Sequence, residues 1–273
     1  MSTMSNQSSV TVVTLAQQKQ VGEKIVCLTA YDATFAALMA DAGVEVILVG
    51  DSLGNVVQGH DSTLPVRIYD MVYHAAAVSR AKPRSLIVVD MPFQSYVTPE
   101  QALQQAARLM SRGGAQMVKL EGGKTFAVTI ETLVAQGIPV CAHLGLLPQS
   151  VHQQGGYHVQ GKSADDAATI EEDARIVEAS GASMLVLECV PSELAASISQ
   201  QLTIPVIGIG AGPDCDGQVL VMHDLLGIVA GKRPRFVKNF LAGGGSVQGA
   251  FEAYVQAVKD GSFPASEHSF PGS

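Results

Sequence analysis

Charged residues are scarce in this chain and make up 15% of its 273 residues. The formal net charge is −8, and this balance argues against nucleic-acid binding, which usually needs a basic stripe. It also argues against binding to an anionic membrane surface. The low charged fraction indicates that some surface is buried between subunits, although a large apolar interior lowers it in the same way.

Cysteine is also sparse, with four residues at positions 27, 141, 189 and 215. None belongs to a C-x-x-C pair, so neither a metal knuckle nor a redox motif is expected. Three of the four lie in apolar runs, where cysteine behaves as a small buried hydrophobe. Free thiols of this kind indicate a reducing compartment.

Long apolar runs and targeting signals are missing too. No stretch is long enough to span a bilayer, and the first nine residues have neither the basic nor the apolar region of a secretory signal. There is no G-x-x-x-x-G-K-[ST] and no G-x-S-x-G motif, so nucleotide hydrolysis and serine-hydrolase chemistry lack support. We therefore predict a cytoplasmic protein that binds neither nucleic acid nor membrane.

What the chain does contain is a series of eight short apolar runs separated by segments with helix signals. This alternation predicts βαβ units, and a (β/α)8 barrel takes roughly 250 residues. We predict an α/β fold, a single-domain (β/α)8 TIM barrel over 10–262, with a disordered tail at 1–9 and a C-terminal tail at 263–273. Strands are expected at 25–30, 44–50, 85–91, 115–121, 138–143, 183–188, 204–209 and 219–223, the last being the weakest.

Capping residues predict where helices begin. Thr14 and Gln17 are spaced as a capping box, which predicts a short N-terminal helix over 14–20. Thr98, which precedes a proline, is expected to cap a second helix. Ser163 is expected to cap a third, whose first turn is acidic and suits the helix dipole.

Five of the apolar runs end in residues that can do chemistry, and the strands of a parallel barrel all end on one face. Lys119 and Glu121 are two positions apart, so their side chains point to the same side of a strand. Buried there, they must be paired or ligating, and a lone internal salt bridge is the alternative. The set expected to converge is Asp51 and Ser52, Asp90, Lys119 and Glu121, His143, and Glu188.

Asp51 and Asp90 are hard oxygen donors of the kind that suits Mg²⁺, an ion that takes few protein carboxylates. The remaining coordination positions would then be open to a chelating substrate. Each aspartate could instead cap the turn that follows it. The presence of Glu121 in the same set favours the metal site.

Glu188 lies among apolar neighbours, which would raise its pKa and suit it as a general base. The alternative is a glutamate at the start of a helix before Pro191. His143 is expected to contact substrate, although a lone histidine is more often structural. The long loop at 150–162 that follows it is predicted to be either a mobile lid or an oligomer contact.

Three glycines, Gly208, Gly210 and Gly212, close the seventh run and continue into the next loop. Their spacing is not that of a Rossmann fingerprint. They either let the backbone approach a ligand or a neighbouring chain closely, with phosphate as one such ligand, or they serve tight turning.

The residues at the strand ends together predict proton abstraction beside a carbonyl group. A 2-oxo acid can chelate a metal through its carboxylate and keto oxygens, and the metal then acts as a Lewis acid on the developing enolate. Glu188 would remove the acidified proton, while Lys119 and His143 hold the substrate carboxylate or steady the enolate. The electrophile is not defined by these residues.

Several ordered motifs run from about Val12 to Val258. They are Thr29-Ala30-Tyr31-Asp32, Val49-Gly50-Asp51-Ser52-Leu53-Gly54, Asp90-Met91-Pro92-Phe93, Val118-Lys119-Leu120-Glu121-Gly122-Gly123, His143-Leu144-Gly145-Leu146, Leu187-Glu188-Cys189-Val190-Pro191, Ile207-Gly208-Ile209-Gly210-Ala211-Gly212, Asp216-Gly217-Gln218-Val219-Leu220-Val221 and His223-Asp224. In this order they closely resemble the ketopantoate hydroxymethyltransferase family.

The resemblance implies a transferase of pantothenate biosynthesis that assembles as a homodecamer, a pentamer of dimers. Such an enzyme moves a hydroxymethyl unit from 5,10-methylenetetrahydrofolate to 3-methyl-2-oxobutanoate through a Mg-stabilised enolate, and it releases 2-dehydropantoate and tetrahydrofolate. The implied roles are Mg²⁺ binding by Asp51, Asp90 and Glu121, substrate binding by Asp51, Ser52, Asp90, Lys119 and His143, and proton transfer by Glu188.

Four positions depart from the family pattern, namely Asn55, Ala142, Leu147 and His158. Of these, Ala142 directly precedes His143 and could shift it, and no folate-contacting residue is identified. The alternative activity is that of another Mg-dependent barrel enzyme of 2-oxo acids, like isocitrate lyase or phosphoenolpyruvate mutase. The lack of a K-[KR]-C-G-H-like loop counts against it, and the retained costly polar groups count against a non-catalytic barrel.

Overall fold

Eight parallel β-strands pair in chain order and close on themselves, with β1 beside β8, in the computed structural model, which describes residues 9–229 and 233–272. Helices join the strands, except that β7 passes to β8 through a short loop. The predicted (β/α)8 barrel is thereby confirmed. The strands are β1 Ile25–Thr29, β2 Val46–Val49, β3 Leu86–Asp90, β4 Met117–Glu121, β5 Val140–Gly145, β6 Met184–Glu188, β7 Val206–Ile209 and β8 Gly217–Leu220.

The helices lie outside the barrel or close its ends. Three short 3-10 turns, Lys124–Phe126, Pro148–Ser150 and Ser266–His268, interrupt the loops. The α-helices of the described residues are α1 Val12–Val21, α2 Ala33–Ala42, α3 Leu53–Val56, α4 Ile68–Arg80, α5 Pro99–Gly113, α6 Ala127–Ala135, α7 Ala164–Ala179, α8 Ser192–Gln201, α9 Met222–Leu226, α10 Leu241–Gly244 and α11 Val247–Lys259.

Two of the three predicted helix caps are present, and one was placed wrongly. The hydroxyl groups of Thr98 and Ser163 each accept a backbone N–H bond of 3.2 Å at the start of α5 and α7. The first helix begins earlier than predicted, because Thr11 and not Thr14 is its N-cap. Thr14 is the third helical residue and accepts a 2.7 Å bond from the Thr11 N–H. Leu15 then lies against the apolar interior of the barrel, so α1 closes its amino-terminal end.

The last strand also begins earlier than the apolar pattern predicts. The pattern placed it at 219–223, whereas β8 covers Gly217–Leu220. Gln218 interrupts the apolar pattern, so the sequence does not show where the strand begins. Its side chain is polar yet buried, and its amide donates a 3.0 Å bond to the Gly212 carbonyl. At Gly217 a Cβ atom would lie 2.3 Å from the Ile25 carbonyl oxygen, so the closure of β8 on β1 requires glycine.

Side chains that point into the barrel form an apolar core separate from those that face the helices. Alternate residues of a strand share a face, so a residue two positions after an inward one also points inward. Val88 and Met117 are inward, which places Asp90 and Lys119 on the same interior rows. The corresponding pairs on β5 and β6 are Cys141 with His143 and Val186 with Glu188.

The sequence after α10 folds back over the junction of β1 and β8. Tyr254 of α11 is fully buried, and its hydroxyl lies 3.0 Å from the carbonyl oxygens of both Cys27 and Gln218. The ring of Phe263 packs against Tyr254 with centroids 5.9 Å apart. This contact attaches the C-terminal helix to the seam where the barrel closes.

Replacing Tyr254 with phenylalanine should lower the free energy of unfolding by about 1–3 kcal/mol, because the ring still fits but a buried hydrogen bond is lost. The midpoint of urea unfolding checks this. Tyr69→Phe is the matched control, since Tyr69 is 65% exposed and should leave the midpoint unchanged. Equal midpoints for the two variants would contradict the proposed role of the seam contact.

The absences expected from composition have structural counterparts. Over 9–229 and 233–272, no helix has the length and apolar character needed to cross a membrane. All four cysteines are free and buried, which confirms the prediction for the three in apolar runs and adds the fourth. Of the tail predicted to be disordered, residues 1–8 lie outside the described residues. Of the C-terminal tail, Phe263 and His268 are buried, and residue 273 lies outside the described residues.

Candidate active site

Polar side chains from five neighbouring strands and loops meet at the carboxyl end of the barrel. Five of them are only 3–4% exposed, and the sixth, Glu188, has a side chain 16% exposed. Burial of this many ionisable groups in one place is costly unless they pair or ligate. We call this set the mouth cluster; it consists of Asp51, Asp90, Lys119, Glu121, His143 and Glu188.

Asp90 contacts both Asp51 and Lys119 within the mouth cluster. Its Oδ2 accepts a 3.0 Å bond from the Asp51 N–H, and its Oδ1 lies 2.9 Å from Lys119 Nζ. Gly50 permits the approach, because a Cβ atom there would lie 3.4 Å from Asp90 Oδ2 and 2.9 Å from Ser52 Oγ. Asp90 thus binds the adjacent loop and strand, and its carboxylate faces two neighbours rather than the turn that follows it.

His143 lies between Lys119 and the two glutamates of the mouth cluster. Its Nδ1 lies 3.3 Å from Lys119 Nζ and 3.6 Å from Glu121 Oε1, while its Nε2 lies 3.2 Å from Glu188 Oε2. Burial and Lys119 both act to lower the pKa of His143, but Glu121 and Glu188 outweigh them and raise it. The ring is therefore suited to carry a proton between the two glutamates. Ala142 stays fully buried beside it.

The mouth cluster holds four carboxyl groups and two basic groups. Burial raises the pKa of Asp51 well above its ordinary value, and the nearby Asp90 and Glu121 raise it further. Burial opposes the charge of Lys119, but the three carboxylates outweigh it and raise its pKa. A divalent cation would neutralise the excess, and carboxylate oxygens are the donors that Mg²⁺ prefers.

The donor set fits a metal held by few protein ligands. Within the described parts of the chain, no group of three or more His, Cys, Asp or Glu side chains is arranged to hold an ion. Mg²⁺ commonly uses one or two carboxylates and completes its shell with water and substrate. Asp51 and Asp90 meet that requirement. Glu121 lies beside them, with Oε2 accepting a 3.0 Å bond from the Gln149 N–H.

Ser52 follows Asp51 directly, and its side chain contacts Tyr31. The Ser52 hydroxyl lies 2.9 Å from the Tyr31 hydroxyl, and Tyr31 is buried at 3% exposure. Burial raises the pKa of Tyr31, so the phenol stays neutral. His74 Nδ1 lies 2.8 Å from the Tyr31 carbonyl oxygen. Contacts to both the hydroxyl and the carbonyl of Tyr31 thereby hold the hydroxyl pair in place.

The backbone around Glu188 adopts a conformation that few residues tolerate. Cys189 has φ 48° in the left-handed region, and its N–H donates a 2.9 Å bond to the Ile209 carbonyl. Across the adjacent strand, a Cβ atom on Gly145 would lie 2.2 Å from the Glu188 carbonyl oxygen. Such strain persists only where the surroundings enforce it. The position of Glu188 is therefore determined by close backbone contacts on both neighbouring strands.

The glycines after β7 are surrounded by protein groups. A Cβ atom on Gly210 would lie 2.9 Å from the Phe236 ring, and one on Gly212 would lie 2.6 Å from Ser192 Oγ. Both have positive φ, at 62° and 83°. These contacts favour tight turning and packing over phosphate binding. Gly208 similarly meets Cys215 Sγ at 2.9 Å.

Two functional candidates escaped the sequence reasoning. Gln149 is 6% exposed and bonds to both Asp51 and Glu121, and Tyr96 is 5% exposed and bonds to Gln149. Their only sequence signal is position, since each follows a strand that carries a cluster residue. A cleft of about 360 Å³ opens beside them. Its lining includes Leu64, Phe93, Tyr96, Phe126, Gln149 and His152.

The loop at 150–162 is tied to the barrel at both ends. Gln154 Nε2 donates a 3.2 Å bond to the Gly145 carbonyl, and the Gln160 N–H donates a 2.9 Å bond to the Cys189 carbonyl. His152 and His158 are exposed, and His158 Nε2 lies 3.1 Å from the Gly155 carbonyl oxygen. The loop thus covers the edge of the mouth next to Glu188.

Solved structures with other activities share this barrel at low sequence identity. Phosphonopyruvate hydrolase superposes with a TM-score of 0.62 at 11% identity, over 80% of this chain and 84% of that chain. A complex of oxaloacetate acetylhydrolase with oxalate gives 0.61 at 16% identity, over 94% and 99%. A 2,3-dimethylmalate lyase of the phosphoenolpyruvate mutase/isocitrate lyase superfamily gives 0.57 at 16% identity, over 81% of each chain. These likenesses establish the fold alone.

Similarity in sequence is much higher within one family. The model of the ketopantoate hydroxymethyltransferase family matches residues 9–266. The 3-methyl-2-oxobutanoate hydroxymethyltransferase 2 of Hahella chejuensis is 60% identical over 262 residues, 96% of this chain and 99% of that protein. The 3-methyl-2-oxobutanoate hydroxymethyltransferase of Burkholderia multivorans is 58% identical over 266 residues, 97% and 98%. This chain therefore belongs to the ketopantoate hydroxymethyltransferase family, a family of transferases.

Proposed function

We propose that this chain moves a hydroxymethyl unit from 5,10-methylenetetrahydrofolate to 3-methyl-2-oxobutanoate and releases 2-dehydropantoate and tetrahydrofolate, a step of pantothenate biosynthesis. The observation that carries the proposal is the mouth cluster, in which buried carboxylates surround Lys119 and His143. The relatives named for the same acceptor support it.

Asp51 and Asp90 would hold Mg²⁺, with Glu121 completing the carboxylate set beside them. When bound there, the ion supplies Lewis-acid polarisation of the keto group of a 2-oxo acid. The excess of carboxylates over cationic groups supports this assignment, since Asp51 is held against two further negative neighbours. Lys119 stays charged next to Asp90, at 2.9 Å, and is placed to attract the substrate carboxylate.

Glu188 is the proposed base. Its carboxylate takes the proton from C3 of 3-methyl-2-oxobutanoate, and the electrons of that C–H bond form the enolate. His143 Nε2 lies 3.2 Å from Glu188 Oε2. It orients the Glu188 carboxylate and can receive the proton afterwards. The enolate carbon then bonds to the methylene carbon of the folate as the bond from that carbon to one folate nitrogen breaks. Water displaces the second nitrogen and leaves the hydroxyl group of the product, and the two nitrogens of the released tetrahydrofolate take up the proton from C3 and a proton from the water.

The cleft beside Glu121 is proposed to hold the folate. It has a volume of about 360 Å³ and carries three aromatic rings, of Phe93, Tyr96 and Phe126. Aromatic faces suit stacking against a ring system such as a pteridine. The cleft reaches the mouth cluster at Glu121, so a donor bound there would lie next to the carboxylates proposed to hold the metal.

Phe93→Ala should raise the KM for 5,10-methylenetetrahydrofolate about threefold to tenfold, because one stacking face is lost. Phe93 is 40% exposed, so the fold should not suffer. Steady-state kinetics with varied folate measure the effect. Exchange at C3 of 3-methyl-2-oxobutanoate is the internal control and should stay at the wild-type rate. An unchanged KM would place the folate elsewhere.

A homodecamer, built as a pentamer of dimers, and a cytoplasmic location also belong to this proposal. The low charged fraction supports assembly because it leaves apolar surface to be covered. Four free, buried thiols support a reducing compartment. Light scattering coupled to size-exclusion chromatography tests the assembly, and a monomer at micromolar concentration would contradict it.

The test of the proposed function is solvent deuterium exchange into 3-methyl-2-oxobutanoate, with and without Mg²⁺ and tetrahydrofolate. Metal-dependent loss of the C3 proton is the expected result. Formation of 2-dehydropantoate with 5,10-methylenetetrahydrofolate then identifies the donor. Exchange without any folate-dependent product would instead favour an enzyme like isocitrate lyase or phosphoenolpyruvate mutase.

A further inference from the structure

Gln149 stands at the centre of a buried hydrogen-bond network beneath the mouth cluster. Its Nε2 donates a 2.8 Å bond to Asp51 Oδ2 and a 3.0 Å bond to the Met91 carbonyl. Its Oε1 accepts a 2.6 Å bond from the Tyr96 hydroxyl. Its backbone N–H donates a 3.0 Å bond to Glu121 Oε2. One residue thus contacts two of the cluster carboxylates and the strand end that carries Asp90.

The direction of every bond in this network is fixed by the chemistry of its partners. The Met91 carbonyl can only accept, so the NH₂ group of Gln149 must face it and, with it, Asp51. The remaining amide oxygen then faces Tyr96, whose hydroxyl must donate. The Tyr96 oxygen in turn accepts a 3.3 Å bond from the Glu121 N–H. A flipped amide would put the Gln149 oxygen against two acceptors, the Met91 carbonyl and the Asp51 carboxylate, so only one orientation satisfies the network.

A carboxylate held at one oxygen has its plane and its second oxygen oriented as well. Asp51 sits in a turn between β2 and α3 and not within a strand, so its backbone does not fix the carboxylate by itself. The Gln149 amide binds Oδ2 of Asp51. This contact restricts rotation of the carboxylate, so it also restricts where Oδ1 can lie. Outer hydrogen-bond partners of this kind orient metal ligands and tune their affinity.

We propose that Gln149 is a positioning residue that orients the Asp51 carboxylate for a divalent cation, with Tyr96 holding the Gln149 amide in the required direction. This rests on the proposed function only in taking Asp51 as a metal ligand. The competing explanation is purely structural: Gln149 would merely attach the loop after β5 to the barrel. The two explanations differ in what metal affinity does when Gln149 is changed.

Gln149→Met keeps the length of the side chain and removes both ends of the amide. The Kd for Mn²⁺ should rise about tenfold to a hundredfold, the usual effect of losing an outer partner of a metal ligand. Tyr96→Phe leaves Gln149 in place but frees its amide to rotate, and the Kd should rise about threefold to tenfold, as expected for one buried hydrogen bond. If the first variant fails to fold, the second decides.

Gln154→Met is the matched control. Gln154 belongs to the same loop and makes two bonds to backbone groups, of 3.0 Å with the Leu147 N–H and 3.2 Å with the Gly145 carbonyl. It therefore anchors the loop without touching a carboxylate of the mouth cluster. Its replacement should lower thermal stability while leaving the Kd for Mn²⁺ within about twofold of wild type, since no ligand contact is removed.

The experiment titrates Mn²⁺ alone into the full chain and follows the free ion by electron paramagnetic resonance, with Asp90→Asn as the site marker. Weaker binding in Gln149→Met and Tyr96→Phe, but not in Gln154→Met, supports the proposal. Wild-type affinity in both network variants, while Asp90→Asn loses the ion, overturns the positioning role and leaves the metal site intact. Binding that survives Asp90→Asn places the ion elsewhere and overturns both proposals.

Discussion

Replacing Asp90 with alanine is expected to abolish metal-dependent binding of 3-methyl-2-oxobutanoate. The change removes one of two proposed ligands and the acceptor for the Asp51 N–H. It also leaves Lys119, 4% exposed, without its 2.9 Å partner. Loss of one member of a buried charge pair is strongly destabilising to the arrangement around it. With Asp90 gone and the Asp51 carboxylate displaced, the metal is no longer held. The 2-oxo acid then has no ion to chelate through its carboxylate and keto oxygens.

Isothermal titration of 3-methyl-2-oxobutanoate with and without Mg²⁺ measures the effect. Asp90→Asn is the milder companion variant, because it keeps the shape of the side chain. Asp216→Asn is the matched control, since Asp216 also pairs with a lysine, Lys19, and accepts a 2.8 Å bond from the Val206 N–H at the opposite end of the barrel. Its stability should fall while binding persists. Unchanged binding in Asp90→Ala with Mg²⁺ present would remove Asp90 from the site.

The alternation of side chains along a strand explains why much of the site could be anticipated. Met117, Lys119 and Glu121 share one parity, and the structure places all three toward the barrel interior. Parallel strands in a closed barrel end on one face, so a polar residue at such an end has little choice of surroundings. The pairing of Glu121 beside His143 then follows from strand order, which is also the chain order.

What the sequence does not contain is the geometry of the loops. Gln149 follows Leu147-Pro148 in a 3-10 turn, and nothing in its neighbours distinguishes it from a surface glutamine. It is buried because residues at or after the ends of β2, β3 and β4 bring it partners, and such long-range contacts leave no local pattern. The prediction that Glu188 has apolar neighbours missed His143 for the same reason. His143 comes from the adjacent strand, and its Nε2 lies 3.2 Å from Glu188 Oε2.

The N-terminal helix shows the limit of a local signal. Thr14 and Gln17 fit the capping-box pattern, which needs a glutamate or glutamine three residues after the cap. The observed box instead pairs Thr11 with Thr14, whose hydroxyl accepts a 2.7 Å bond from the Thr11 N–H. Because a threonine takes the place of the expected glutamine, the pattern predicts the later start and misses the observed one.

Glu188→Gln should leave substrate binding nearly intact and slow exchange at C3 of 3-methyl-2-oxobutanoate by about 10²–10⁴-fold, the usual contribution of a general base. The amide has nearly the same shape as the carboxylate, and its oxygen can lie at the same 3.2 Å from His143 Nε2. It cannot take a proton at neutral pH. Binding is proposed to depend instead on Lys119 and the aspartates, which the change does not touch.

Proton magnetic resonance of the substrate in deuterated buffer gives the exchange rate, and titration calorimetry gives the Kd. Glu178→Gln is the matched control: its carboxylate accepts bonds from the backbone N–H groups of Thr203 and Ile204 on the outer side of the barrel, and exchange should stay at the wild-type rate. Wild-type exchange in Glu188→Gln would reassign the base to another group. Because His143 touches both Glu121 and Glu188, a Glu121→Gln variant would then show whether the proton leaves by the other side of the same ring.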